Sequence, residues 1–147
     1  MNTNFLNSVT NFLKKRTFEF IGLILISASI GLAIAFTTYS PEDPSFVYGD
    51  REFEIKNFFG IYGSSIGDFL WQSFGLVSFL ILANFLFWGI NLLIQKEIKR
   101  IILKLFLVVS YLVLGTIFIY ITFNNSFWLI DNGNSGFVGK IGYDFLS

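Results

Sequence analysis

The chain has no cysteine and no histidine. Disulfides are thereby excluded, as are thiolate and imidazole metal sites and every catalytic scheme built on a Ser-His or Cys-His pair. Proline is nearly absent: Pro41 and Pro44 are the only two, and both fall in one short segment. Charge is also scarce. It makes up 14% of residues, against about a quarter in an ordinary soluble domain. The formal charges cancel to zero, so net charge gives no reason to expect nucleic acid as a partner.

What is present is apolar. Hydrophobic residues account for 54% of the 147, and phenylalanine alone contributes 20. So much apolar surface could not be hidden inside one small water-soluble domain, whereas a bilayer accepts it as solvent. A hydrocarbon core about 30 Å thick needs roughly 20 apolar residues as helix. Three stretches qualify: Phe20 to Tyr39, Phe69 to Gln95, and Leu105 to Ile130, the last ending near Phe123 because Asn124, Asn125 and Ser126 follow. The expected fold is all-α and membrane-integral, with three transmembrane helices over about residues 18–39, 69–94 and 101–123. All belong to a single membrane-anchoring domain, residues 1–147, with a Gly-rich external loop. A cleavable signal peptide is the competing reading of the first stretch. The run is long for that, and the small-residue pattern Ala33-Ile34-Ala35 lies inside it.

Charges predict orientation. Lys14, Lys15 and Arg16 flank the first span, and Lys96, Lys99, Arg100 and Lys104 lie between the second and third. The positive-inside rule makes that side cytoplasmic. The loop from Ser40 to Asp68 carries six acids against only Arg51 and Lys56, and is expected outside. Pro41 predicts that the first helix stops by Tyr39, followed by a single turn over Ser40-Pro41-Glu42-Asp43. Tyr39, Tyr48, Trp71, Trp88 and Trp128 fall near predicted interfaces, as an aromatic belt would.

The chain also repeats itself. Gly60, Gly63, Asp68, Phe69 and Leu70 recur at identical spacing as Gly136, Gly139, Asp144, Phe145 and Leu146. The first copy leads into a membrane helix. The second is expected to do the same, so residues 124–147 read as an external segment leading to a fourth span beyond Ser147. Asp68 and Asp144 then fall at helix starts, where an acid complements the helix dipole.

Within the spans, Ser27, Gly31 and Ala35 recur every four residues and predict a helix-packing face. Asn84 lies mid-span and is expected to hydrogen-bond between helices; an ion pathway would instead show ionisable groups at depth. Gly139-Lys140 does not form a phosphate loop, because Asn134 stands at the first glycine position and Ile141 follows the lysine. A small transport or pore subunit is the alternative to an anchor, with Asn84 as its one polar foothold.

Tyr39-Ser40-Pro41-Glu42-Asp43-Pro44-Ser45, placed just after a first membrane helix, resembles a signature of the FtsK/SpoIIIE DNA translocase family. So does the following series Asn57, Gly60, Gly63, Asp68 and Leu70, then Phe74-Gly75, with Gly67 where the family has alanine. The resemblance implies a four-helix domain that anchors a DNA translocase at the division septum of the bacterial inner membrane. It implies divisome membrane proteins and the lipid bilayer as partners, with homo-oligomers allowed. ATP and Mg belong to a motor outside these residues. Neither a cofactor nor a direct nucleic-acid contact is expected within them.

Overall fold

A computed structural model describes residues 3–46, 54–97, 99–125, 129 and 132–147. Tyr48 and Trp128 lie outside the described residues. The elements run α1 (Thr3–Thr37), α2 (Gly60–Phe74), a 3-10 turn (Gly75–Val77), α3 (Ser78–Gln95), α4 (Ile101–Phe123) and α5 (Gly136–Leu146). The chain is all-helical among the described residues, with three segments long and apolar enough to cross a membrane. A helix satisfies its own backbone, which is what lipid demands. Large apolar side chains point outward throughout, Phe20, Ile94, Ile102 and Phe118 among them. That is the reverse of a soluble fold, and is what a lipid environment permits.

α1 and α3 lie along each other in opposite directions, and glycine makes their close approach possible. A Cβ on Gly22 would sit 2.8 Å from the Gly89 carbonyl oxygen, and one on Gly89 would sit 2.7 Å from that of Gly22. Ser29 Oγ donates to the Leu82 carbonyl at 3.0 Å, fixing the register. At one end Glu19 pairs with Arg16 and Lys96, both at 2.5 Å. The first basic flank and the α3–α4 loop therefore share an end of the bundle. That loop is short, with Lys96 and Arg100 in left-handed conformation (φ 53° and 52°) at the two helix ends. α1 stops at Thr37, before the proline turn.

Three expectations need correction. The segment expected as one helix from about residue 69 opens earlier, at Gly60, and breaks at Gly75 (φ 54°, ψ −136°) into α2 and α3. Asp68 is consequently well inside α2, and Asp144 is near the end of α5, so neither caps a helix start. The stripe Ser27, Gly31, Ala35, whose partner helix the sequence leaves open, does not face α3 in the structure: nothing lies within 4 Å of a Cβ built on Gly31, and Ser27 is exposed. Ala28, Gly31 and Ala35 instead line an open apolar cleft of about 460 Å³ with Phe59, Ile66 and Phe85. Finally, Asn84 returns its amide to Leu80 in its own helix (2.7 Å) and does not bridge helices. The α1–α3 register set by Glu19, Gly22 and Ser29 turns the small-residue stripe away from α3.

Candidate functional site

The buried polar residues Asp43, Asn57, Ser64 and Ser65 gather where α1 ends and α2 begins. Thr37 is followed by a tight turn in which the Asp43 N–H reaches the Ser40 carbonyl at 3.1 Å. Pro41 presets this turn and Pro44 closes it. The turn delivers Asp43 into the protein, where it is only 8% exposed. Both carboxylate oxygens are occupied: Oδ1 accepts the Lys56 N–H (3.0 Å) and Oδ2 the Asn57 N–H (2.8 Å). Pro44 is fully buried, and its carbonyl accepts from Ser64 Oγ at 2.7 Å. Ser65 Oγ accepts the Phe46 N–H at 3.0 Å. Ser45 sits half-buried between these two contacts.

Asn57 links the two helices. Its Nδ2 donates to the Ala35 carbonyl (3.0 Å), one of the acceptors that a helix C-terminus leaves unsatisfied. Its Oδ1 accepts the Phe59 N–H (3.1 Å) in an Asx turn that starts α2. Gly60 then takes φ +59°. Gly63 must lack a side chain, because a Cβ there would strike Asn57 Oδ1 and lie 2.7 Å from Phe59 Cβ. Tyr39 OH donates to Asp68 Oδ1 at 3.2 Å. Beneath this layer Trp71, 2% exposed, packs against Phe36 (5.0 Å between ring centres) and Phe79 (5.2 Å), with Leu129 in the same cluster. On the surface, Lys56 pairs with Glu42 at 2.6 Å. That hydrogen bond lowers the Glu42 carboxyl below its ordinary range and raises the Lys56 ammonium.

A second junction sits where α4 gives way to α5. Asn134 Nδ2 donates to the carbonyls of Phe123 (3.0 Å) and Asn125 (2.9 Å). Asn124 Oδ1 accepts from Ser135 Oγ at 2.8 Å. Gly136 opens α5 at φ +65°. The C-terminal end of α2 meets this second junction at Gly75, where the Leu76 N–H reaches the Asn134 carbonyl at 2.9 Å. A Cβ on Gly75 would collide with that carbonyl and lie 2.8 Å from the Gly136 nitrogen; one on Gly136 would collide with the Ser73 carbonyl. Asn132 Nδ2 adds a bond to Gln72 Oε1 at 2.7 Å.

The structure thus brings together Tyr39, Ser40, Pro41, Asp43, Pro44, Ser45, Asn57, Gly60, Gly63 and Asp68 at one corner, with Gly75 at the adjoining one. It leaves Ser27, Gly31 and Asn84 outside both. The Glu19–Lys96 link and the Gly22–Gly89 contact escape sequence reasoning. An acid beside a long apolar run was the one available signal for the first; nothing in the sequence pairs two glycines so far apart along the chain. Chemically the corner is suited to holding. The Asp43 carboxylate and the Asn57 amide are spent on backbone groups.

Helices of membrane-crossing length, stapled at one end by buried hydrogen bonds, define a helical integral membrane domain. Residues 14–147 match the 4TM region of DNA translocase FtsK/SpoIIIE, and the chain belongs to that family. Among curated proteins it is similar to the DNA translocase FtsK of Rickettsia prowazekii, with 38% identity over 69 residues, 47% of this chain and 9% of that protein. It is also similar to that of Rickettsia bellii, with 38% identity over 80 residues, 53% and 10%, and to that of Azospirillum brasilense, with 30% identity over 90 residues, 60% and 14%. The chain therefore spans about a tenth of the length of these relatives. No solved structure matches it.

Proposed function

We propose that this chain is the membrane anchor of an FtsK-like DNA translocase, set in the bacterial cytoplasmic membrane with its N-terminus inside and acting at the division septum. The observation that carries the orientation is the Arg16–Glu19–Lys96 link, which joins the two basic flanks at one end of the bundle. The Glu42–Lys56 pair lies at the other end, beyond the turn that follows α1. The positive-inside rule assigns the first end to the cytoplasm. The translocase name of the relatives supports a motor joined to this anchor. ATP and Mg would be that motor's, and these residues would carry no chemistry of their own. Divisome membrane proteins would then meet the external corner, and other copies of the chain the lipid-facing helices.

A fluorescent protein fused to the N-terminus tests both parts. It should fluoresce, as it folds only in the cytoplasm, and should concentrate at septa in dividing cells. Even fluorescence around the cell periphery, with septa present, would defeat the septal assignment. A dark fusion of normal abundance would defeat the orientation.

A further inference from the structure

The basic end of the bundle holds few acids. Glu19 takes Arg16 and Lys96, and Glu97 takes Lys99 at 2.6 Å. Lys104 has no acidic partner among the described residues. It is nonetheless half-buried, and it lies one turn inside α4, which opens at Ile101. An ammonium carried on a membrane helix is ordinarily paired or turned toward water. What Lys104 faces is therefore informative.

Lys104 lines a groove of about 230 Å³ between α1, α3 and α4. α4 makes its main contacts with α5 and the Gly75–Val77 turn, and stands off α1 and α3 at this end. Much of the wall is apolar, with Ile21 and Leu25 from α1, Leu92 from α3 and Ile101 from α4. On α3, Trp88, Asn91 and Gln95 also line it, three and four residues apart and so on one helix face. From Trp88 to Gln95 the groove runs roughly 10 Å along the helix. The side-chain amides of Asn91 and Gln95, like the Lys104 ammonium, have no hydrogen-bond partner among the described residues. Glu97 borders the groove as well, but its carboxylate is held by Lys99. An apolar channel thus rises from Leu25 and Trp88 to two open amides and a cation. That is the division of a phospholipid, chain below and phosphate above.

We propose that this groove binds one anionic phospholipid of the adjoining leaflet, its phosphate on Lys104, Asn91 and Gln95 and an acyl chain along Ile21, Leu25 and Trp88. Charge selects the class of lipid. A zwitterionic headgroup brings its own cation to a loop already carrying Lys96, Lys99 and Arg100, whereas an anionic one does not. Basic pockets between membrane helices hold such headgroups. The apolar wall selects a lipid over free phosphate, because an inorganic ion gains nothing from it. The bound lipid would tie the basic end of α4 to α1 and α3, where protein contacts are sparse. This rests on the membrane-spanning fold, and not on which face of the membrane the loop occupies.

The full-length protein would be reconstituted in vesicles of equal phosphatidylglycerol and phosphatidylcholine, extracted in detergent and washed. The phospholipid still bound is then counted by headgroup. The expected result is phosphatidylglycerol retained in preference to phosphatidylcholine. Lys104→Gln should lower that retention at least about fivefold, and Lys104→Arg should keep it. Leu25→Trp, which fills the apolar end and leaves every charge in place, should lower it too. Lys14→Gln with Lys15→Gln removes two charges of the same end that do not line the groove, and should retain the lipid as the unaltered protein does. Equal retention of the two lipids by the unaltered protein would overturn the proposal. So would unchanged retention in Lys104→Gln or Leu25→Trp, or a loss in the Lys14 and Lys15 variant as large as that in Lys104→Gln. Release of the lipid by excess inorganic phosphate would overturn it in favour of a free-anion site.

Discussion

Asp43 is one of the two side chains, with Asn57, that hold the corner between α1 and α2. It is buried, and each of its oxygens accepts a backbone N–H from the approach to α2. Buried donors left without acceptors cost roughly 1–3 kcal/mol each. Asp43→Ala should therefore destabilise the domain by about 3 kcal/mol, read as a shift in SDS-induced or thermal unfolding in detergent micelles. Asp43→Asn, which keeps one good acceptor, should lose about half as much. Glu42 is the contrast, because its pair with Lys56 lies in water and such pairs contribute little. Glu42→Gln should leave unfolding unchanged within error at neutral pH. Since the Glu42 pKa is lowered on folding, its small contribution exists above the ordinary value of 4.5 and fades as pH falls through the lowered one. The raised Lys56 acts in the opposite sense: its share is present below 10.5 and fades as pH rises through its higher folded value. A series of unfolding midpoints should be flat for this pair across the neutral range between those two values.

At the scale of elements, the helix junctions depend on glycines that cannot be replaced. Gly75 combines a left-handed φ with backbone contact to Asn134 and Gly136. The left-handed backbone alone costs an alanine about 1–2 kcal/mol, and the collision adds to it. Gly75→Ala and Gly136→Ala should each destabilise the domain by at least about 2 kcal/mol and raise protease sensitivity between α2 and α3. Gly31→Leu should shift unfolding by less than about 0.5 kcal/mol, because its Cβ would enter open space. Equal effects at Gly31 and Gly75 would show that the seam has been placed on the wrong face of α1. The three apolar stretches, the end of α1 and the turn at Pro41 were legible because each follows from local chemistry: hydrophobic length, proline geometry, the restriction on the residue before proline. The break at Gly75 was not, because its cause is the Asn134 carbonyl, which belongs to a distant part of the chain. Nor was the face of α1 that meets α3. Ser27-Gly31-Ala35 has ideal spacing, but spacing does not choose between two faces of one helix. The bond from Ser29 to Leu82 and the Glu19–Lys96 pair choose, and both are long-range.

On the scale of the whole molecule, charge and the junction residues divide the bundle into unlike ends. The basic end is joined by Glu19 to Arg16 and Lys96. The other end holds the signature residues, which are almost all occupied in structural bonds. Asp43, Asn57 and the glycines encode a corner, with their side chains and close contacts engaged in holding it. The central claim is that this corner and the basic loop lie on opposite faces of the membrane. Glu42 and Lys99 are both exposed and can each be replaced by cysteine in this cysteine-free chain. With a membrane-impermeant maleimide on intact cells whose outer barrier has been opened, Glu42→Cys should label at once. Lys99→Cys should label only after the cytoplasmic membrane is permeabilised. Equal labelling of both before permeabilisation, or the reverse order, would contradict the account.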